Sequence, residues 1–230
     1  KNIALRRRPY FDNESVKCLH PVEEGDIYDI SRQGFSFPSL HSTISMSLWT
    51  RVRRFINNKV GKVILFILPF LIGISRFVLG VHYPTDVLTG WVFELLVVLI
   101  IDLLEKQLKE EKWIYIILLI SGIPGFFYCK SEDFYTTYGL LVGCICAFLF
   151  EEKYVNFDTA KNFLFSVLRL VGGIIVFMAV HELFKLPFSN LQLETSSTAH
   201  LLIRAANYAI SAFFMMGIYP LCFNKGKLDL

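Results

Sequence analysis

Two histidines, an arginine and an aspartate stand in this 230-residue chain at spacings that suit chemistry on phosphate. Pro38-Ser39-Leu40-His41 opens one apolar stretch. Ser75-Arg76 closes another, and His82 and Asp86 follow after intervals of five and three residues. A cationic stretch running from Lys1 to Arg8-Pro9 begins the chain. A phosphate monoester or diphosphate repels an incoming nucleophile, so fixed cations and N–H donors must neutralise it, most strongly in the transition state. Arginine suits the task because its planar fork holds two phosphate oxygens at once. Lys1, Arg8 and Arg76 are the candidate cations, with Arg6 and Arg7 behind them. Ser39 and Leu40 sit where a helix is expected to start, and free amides at a helix N-terminus form a further anion site.

The histidines then divide the work. A neutral imidazole can attack phosphorus and form a covalent phosphohistidine, provided its other ring nitrogen is held by an acceptor. His82 and Asp86 are four residues apart, so one helical turn or a tight turn brings them together. His41 is left to protonate the leaving alkoxide and then to activate water. This scheme calls for no metal and no cofactor, and no Cys/His spacing typical of a metal site occurs.

The elements that must position these groups read as membrane helices. Hydrophobic residues make up 54% of the chain and charged residues only 19%, where a soluble domain carries about 25% charged. Mean hydropathy is +0.49. Residues 62–80, 87–104, 113–129, 134–150, 163–184 and 201–223 are apolar runs approaching the ~20 residues that span a bilayer as helix. A seventh, His41 to Phe55, is rich in Ser and Thr and suits the inside of a bundle better than a lipid-facing position. The expected fold is all-α, a polytopic transmembrane bundle of about seven helices. The net charge of +3 is small and dispersed, which argues against nucleic acid as a partner. The chain opens on the cationic stretch without Met or signal peptide, so further helices are expected upstream.

Loop charge orients the bundle. Residues 51–62 carry Arg51, Arg53, Arg54, Lys59 and Lys62 with no acid, and the positive-inside rule makes them cytoplasmic. Alternation from there puts residues 105–112, 151–161 and the C-terminal tail inside too. The four inner segments hold twelve Lys and Arg, and the three short opposite loops hold two. All three motif stretches then meet on the extracytoplasmic face. Residues 1–38 lie there despite Lys1, Arg6, Arg7, Arg8, Lys17 and Arg32, which points either to an anionic ligand or to an upstream segment that fixes the topology by itself.

These stretches, Lys1-(six residues)-Arg8-Pro9, Pro38-Ser39-Leu40-His41 and Ser75-Arg76-(five residues)-His82-(three residues)-Asp86, resemble the three signature motifs of the type 2 phosphatidic acid phosphatases, a superfamily that includes the vanadium haloperoxidases. The resemblance covers residues 1 to about 100, and its third motif is very specific. It implies a metal-independent lipid phosphatase with an all-helical core, His82 as nucleophile, Asp86 as its partner and His41 as acid. Lys1, Arg8, Ser39, Leu40 and Arg76 would bind phosphate. Leu40 departs from the family's usual Gly, as sphingosine-phosphate phosphatases also do, and an altered substrate fit is expected.

Residues 1–104 thus read as a phosphatase core, with an extracytoplasmic loop to residue 38 and helices over 39–104. Residues 105–230 read as a four-helix transmembrane extension. The expected substrate is an amphiphilic lipid phosphate in a plasma or cytoplasmic membrane. Two other functions fit the same helices: a phosphotransferase passing the group to a second lipid alcohol, and a non-catalytic lipid-binding or transport protein. Glu94, at mid-helix depth, is a candidate either for function by position or for a structural hydrogen bond inside the bundle, and His181, Glu182 and Arg204 are expected to pair with one another rather than to help a headgroup pocket.

Overall fold

The computed structural model describes residues 4–21, 25–108, 110–156, 162–188 and 197–223. Every regular element among them is helical. Two single turns come first, α1 (Pro9–Asp12) and α2 (Ile30–Gln33), within the loop that precedes the long helices. They are followed by α3 (Leu40–Phe55), α4 (Lys59–Val78) and α5 (Pro84–Gln107). Next come α6 (Lys112–Gly122) and α7 (Gly125–Tyr128), then α8 (Glu132–Phe150), α9 (Phe163–Lys185) and α10 (Thr198–Phe213). Proline explains why the run over 113–129 is two helices rather than one. Pro124 has no N–H to give and its ring crowds the preceding turn, so α6 stops just before it and α7 restarts at Gly125.

Among the described residues five helical spans are long and apolar enough to cross a membrane: Lys59–Val78, Pro84–Gln107, Glu132–Val155, Phe163–Phe188 and Thr198–Phe223. The chain divides into two compact units, Lys1–Ile114 and Tyr115–Leu230.

In the first unit α3 packs on both α4 and α5. Its faces are reversed relative to a helix in water. Ser42, Ser45 and Met46 are buried, while Leu40, Ile44 and Leu48 are exposed. Lipid is as apolar as leucine, so apolar side chains gain nothing by turning inward, and small hydroxyl residues let backbones approach. The approach is closest where α3 meets Gly90 of α5. A Cβ there would lie 3.0 Å from the Ser39 carbonyl oxygen and 3.0 Å from Thr43 Oγ1. At the far ends of the same helices Arg51 pairs with Asp102 at 3.2 Å and Glu105 at 3.3 Å, and Arg54 pairs with Asp102.

In the second unit α8 and α10 form the main contact. Gly139 and Gly143 of α8 lie one turn apart against the backbone of Ala205 and Ala209 of α10, a small-residue seam that only Gly allows at this separation. The expected pairing of Arg204 with His181 or Glu182 does not form. Because α10 packs on α8, Arg204 reaches Glu132 at 2.8 Å and donates to Thr136 Oγ1 at 2.7 Å. Glu182 pairs instead with Lys185, three residues along its own helix. His181 stacks on Phe177 and meets the Tyr208 ring at a tilt.

Candidate active site

Asp86 lies at the centre of the arrangement, fully buried in the first turn of α5. The N–H of Tyr83 donates to its Oδ2 at 2.9 Å, so the carboxylate caps its own helix. Oδ2 also lies 3.5 Å from His82 Nδ1, and Oδ1 accepts from Arg6 Nη1 at 2.8 Å. The backbone carbonyl of Asp86 accepts from the N–H of Ser39 at 3.1 Å, which ties the start of α5 to the start of α3. His41, two residues on from Ser39 and exposed, is therefore held at the same end of the unit as His82, which is buried.

Local sequence dictates each position. Gly80 takes φ +76° and lies against the Lys17 carbonyl, a conformation that L side chains resist. That turn ends α4 and sends the chain back to His82. Pro84 supplies the fixed φ that starts α5. An Nδ1-to-carboxylate contact leaves Nε2 as the ring nitrogen facing away from Asp86, the geometry of an oriented imidazole nucleophile.

The candidate cations take three different places. Arg8 is buried, and its Nε donates to the carbonyls of Gln33 at 2.8 Å and Gly34 at 3.2 Å while Nη1 donates to that of Val81 at 3.0 Å. It thus clamps the turn that carries His82 to the preceding loop through Nε and Nη1. Burial pulls its pKa below the ordinary arginine value, against the pull of Tyr10, Cys18 and Asp86. Arg76, in the last turn of α4, is half-buried and its Nε donates to Ser75 Oγ at 3.1 Å. Lys1 lies outside the described residues.

Ser39 does not cap α3 with its side chain. Its hydroxyl is fully buried and accepts from Ser42 Oγ at 3.0 Å. Leu40 is the first residue of α3 and its side chain is exposed, so its amide sits where a helix start leaves donors unused.

Arg6 is the residue whose place the sequence ranks too low. Besides Asp86 it donates to Thr85 Oγ1 at 2.7 Å, and its guanidinium lies 4.0 Å from the centre of the Tyr83 ring. Three adjacent arginines are indistinguishable by type, and only the fold decides which one faces the carboxylate. Tyr83 is a second such residue: its hydroxyl donates to Asp12 Oδ2 at 3.0 Å, and burial followed by that bond raises its pKa. Among the described residues no three His, Cys, Asp or Glu side chains come together as metal ligands would.

A buried carboxylate beside an imidazole and a guanidinium, on helices of membrane length, describes the class of protein, and comparison with known proteins gives its family. Residues 1–108 match the PAP2 superfamily, and residues 135–229 match the PAP2 superfamily phosphatase transmembrane extension. The chain belongs to the PAP2 superfamily and is an integral membrane protein. It is also similar to phosphatidylglycerophosphatase B of Bacillus subtilis (strain 168), 30% identical over 90 residues. That match covers 35% of this chain and 44% of the relative, so the chain spans less than half the length of the curated protein it matches. No solved structure matches.

Proposed function

We propose that this protein is a lipid phosphatase that hydrolyses a phosphomonoester or diphosphate of an amphiphile at the extracytoplasmic membrane face. The observation that carries the proposal is the His82–Asp86 pair, buried and held by Tyr83 N–H and Arg6 at the end of apolar helices. His82 Nε2 attacks phosphorus while the P–O bond to the lipid breaks and His41 gives the leaving oxygen its proton. Water then attacks the phosphohistidine, its proton passes to His41, and the N–P bond breaks to restore neutral His82. Asp86 stabilises the ring cation that exists between the two steps. Arg8, Arg76 and Lys1, with the Ser39–Leu40 helix start, balance the charge on phosphate, so no metal is required for it. The Nδ1–carboxylate distance of 3.5 Å is long for a hydrogen bond, as is common before substrate arrives.

The C-terminus is cytoplasmic in this account, by the charge of the loops. The Bacillus relative's name makes phosphatidylglycerol phosphate the first substrate to try, beside phosphatidic acid, a sphingoid-base phosphate and an isoprenyl diphosphate. The test is phosphate release by the purified protein in detergent with excess chelator, beside His82→Ala of matched thermal stability. Release that persists in chelator and disappears in His82→Ala supports the proposal. Release only when a second lipid alcohol is supplied would replace hydrolase by transferase. No turnover with any lipid by folded protein would leave a non-catalytic lipid-binding protein.

A further inference from the structure

At the end of the first unit opposite His82, Thr50, Arg53, Arg54 and Lys62 line an open cavity of about 280 Å³. Thr50, Arg53 and Arg54 belong to the last turns of α3 and Lys62 to the first turn of α4. Arg53 lies thirteen residues beyond Leu40 on α3, about 20 Å along the helix at 1.5 Å per residue. The cavity is thus remote from the phosphate site described above.

Two of its three cations have no acidic partner among the described residues. Arg51 and Arg54 are matched by Asp102 and Glu105 of α5. Among the described residues, neither Arg53 nor Lys62 has an acidic side chain within ion-pair distance, and the guanidinium of Arg53 lies 5.4 Å from the centre of the Phe66 ring. Residues 51–62 contain five cations and no acid.

The surroundings are as informative as the lining. Phe55, Val60, Val63 and Phe66 are all more than half exposed on the same stretch, and they continue into the apolar surface of α4. A cationic cavity opening beside an exposed apolar stripe matches an amphiphile with an anionic head and hydrocarbon tails.

We propose that this cavity binds the headgroup of an anionic phospholipid of the leaflet opposite the active site. Arg53 and Lys62 contact the phosphate, the Thr50 hydroxyl supplies a further hydrogen-bonding group, and the acyl chains lie along Val63 and Phe66. The inference is independent of turnover, and its failure would leave the proposed phosphatase untouched.

The test is a titration of the intact protein in detergent with dioleoyl phosphatidylglycerol, counting bound lipid by native mass spectrometry. Arms with dioleoyl phosphatidylcholine and with inorganic phosphate as competitor run beside it. Arg53→Gln/Lys62→Gln is expected to weaken one saturable phosphatidylglycerol site about thirty-fold, the effect of removing two interfacial cations. The charge-retaining swap Arg53→Lys/Lys62→Arg is expected to keep the site, and Lys59→Gln/Lys106→Gln, which removes equal charge from exposed positions outside the cavity, to change it little. Equal weakening by both Gln pairs would overturn the proposal in favour of diffuse attraction. Equal binding of phosphatidylcholine would overturn it as well. Displacement by millimolar inorganic phosphate would identify free phosphate, rather than lipid, as the ligand. Thermal unfolding of each variant confirms that a lost site is not a lost fold.

Discussion

Arg8 and Arg76 both read as phosphate-binding cations in the sequence, yet exchanging each for lysine should have different consequences. Arg8 spans three backbone carbonyls, those of Gln33, Gly34 and Val81, from a position 2% exposed. A hydrogen bond from a charged donor is worth about 1.5–3 kcal/mol, and leaving a buried acceptor bare costs about 1–3 kcal/mol. A lysine ammonium is a point donor on a single stem and cannot reproduce the fork. With one or two of the three carbonyls left unserved, Arg8→Lys should lose about 2–4 kcal/mol. For a domain of this size that corresponds to roughly 4–16 °C in Tm. Because Val81 immediately precedes His82, turnover should fall with stability. Arg76 is half-buried and its Nε bonds only its neighbour's hydroxyl. Arg76→Lys should therefore keep Tm while losing turnover. The assay is paired, thermal unfolding in detergent and initial rates on the same preparations. An Arg8→Lys protein that unfolds at the wild-type temperature would refute the clamp.

Three further outcomes follow from packing and burial. Gly90→Val places branched carbon against the Ser39 carbonyl, where even a Cβ sits at 3.0 Å. The overpacking should cost about 1–3 kcal/mol, and the strained Ser39–Asp86 link should lower kcat by on the order of 10- to 100-fold, read by rates at saturating lipid. Gly143→Leu should separate α8 from α10, since a Cβ there already meets the Ala209 backbone. It should lower Tm by several degrees, and an unchanged Tm would contradict the seam. Tyr10 is buried and its pKa is pushed up to about 12, chiefly by burial. The folded loop holds the neutral phenol, so its contribution is intact below pH ~10 and declines as pH rises from there toward 12. Tyr10→Phe should flatten that alkaline decline in Tm, and an unaltered profile would count against it.

Helix positions were largely legible because bilayer-length apolar runs are a one-dimensional signal. The run over 163–184 became Phe163–Lys185, and that over 134–150 became Glu132–Phe150. Legibility failed where a single residue interrupts a run, as at Pro124, or where the decision is three-dimensional. The Ser and Thr of residues 41–55 suggested a helix with partners, and the buried Ser42 and Ser45 are that face. Nothing in the order Arg6-Arg7-Arg8 indicates that the first meets Asp86 and the third clamps the Val81 carbonyl. Arg204 found Glu132 rather than its nearer candidates because which helix lies beside α10 is a property of packing, not of spacing. Glu94 is half-buried and makes no hydrogen bond or ion pair among the described residues, so its depth in α5 is still its main distinguishing feature.

The central claim is that phosphate passes through His82 in two displacements, and the stereochemical course at phosphorus tests it without relying on accumulation of an intermediate. A phosphorothioate monoester of the best lipid substrate, chiral through oxygen-isotope labelling, would be hydrolysed in isotopically labelled water and the released thiophosphate analysed for configuration. Two in-line displacements give net retention, which is the predicted result. Net inversion would mean that water attacks the lipid phosphate directly, and His82 would then not be the nucleophile.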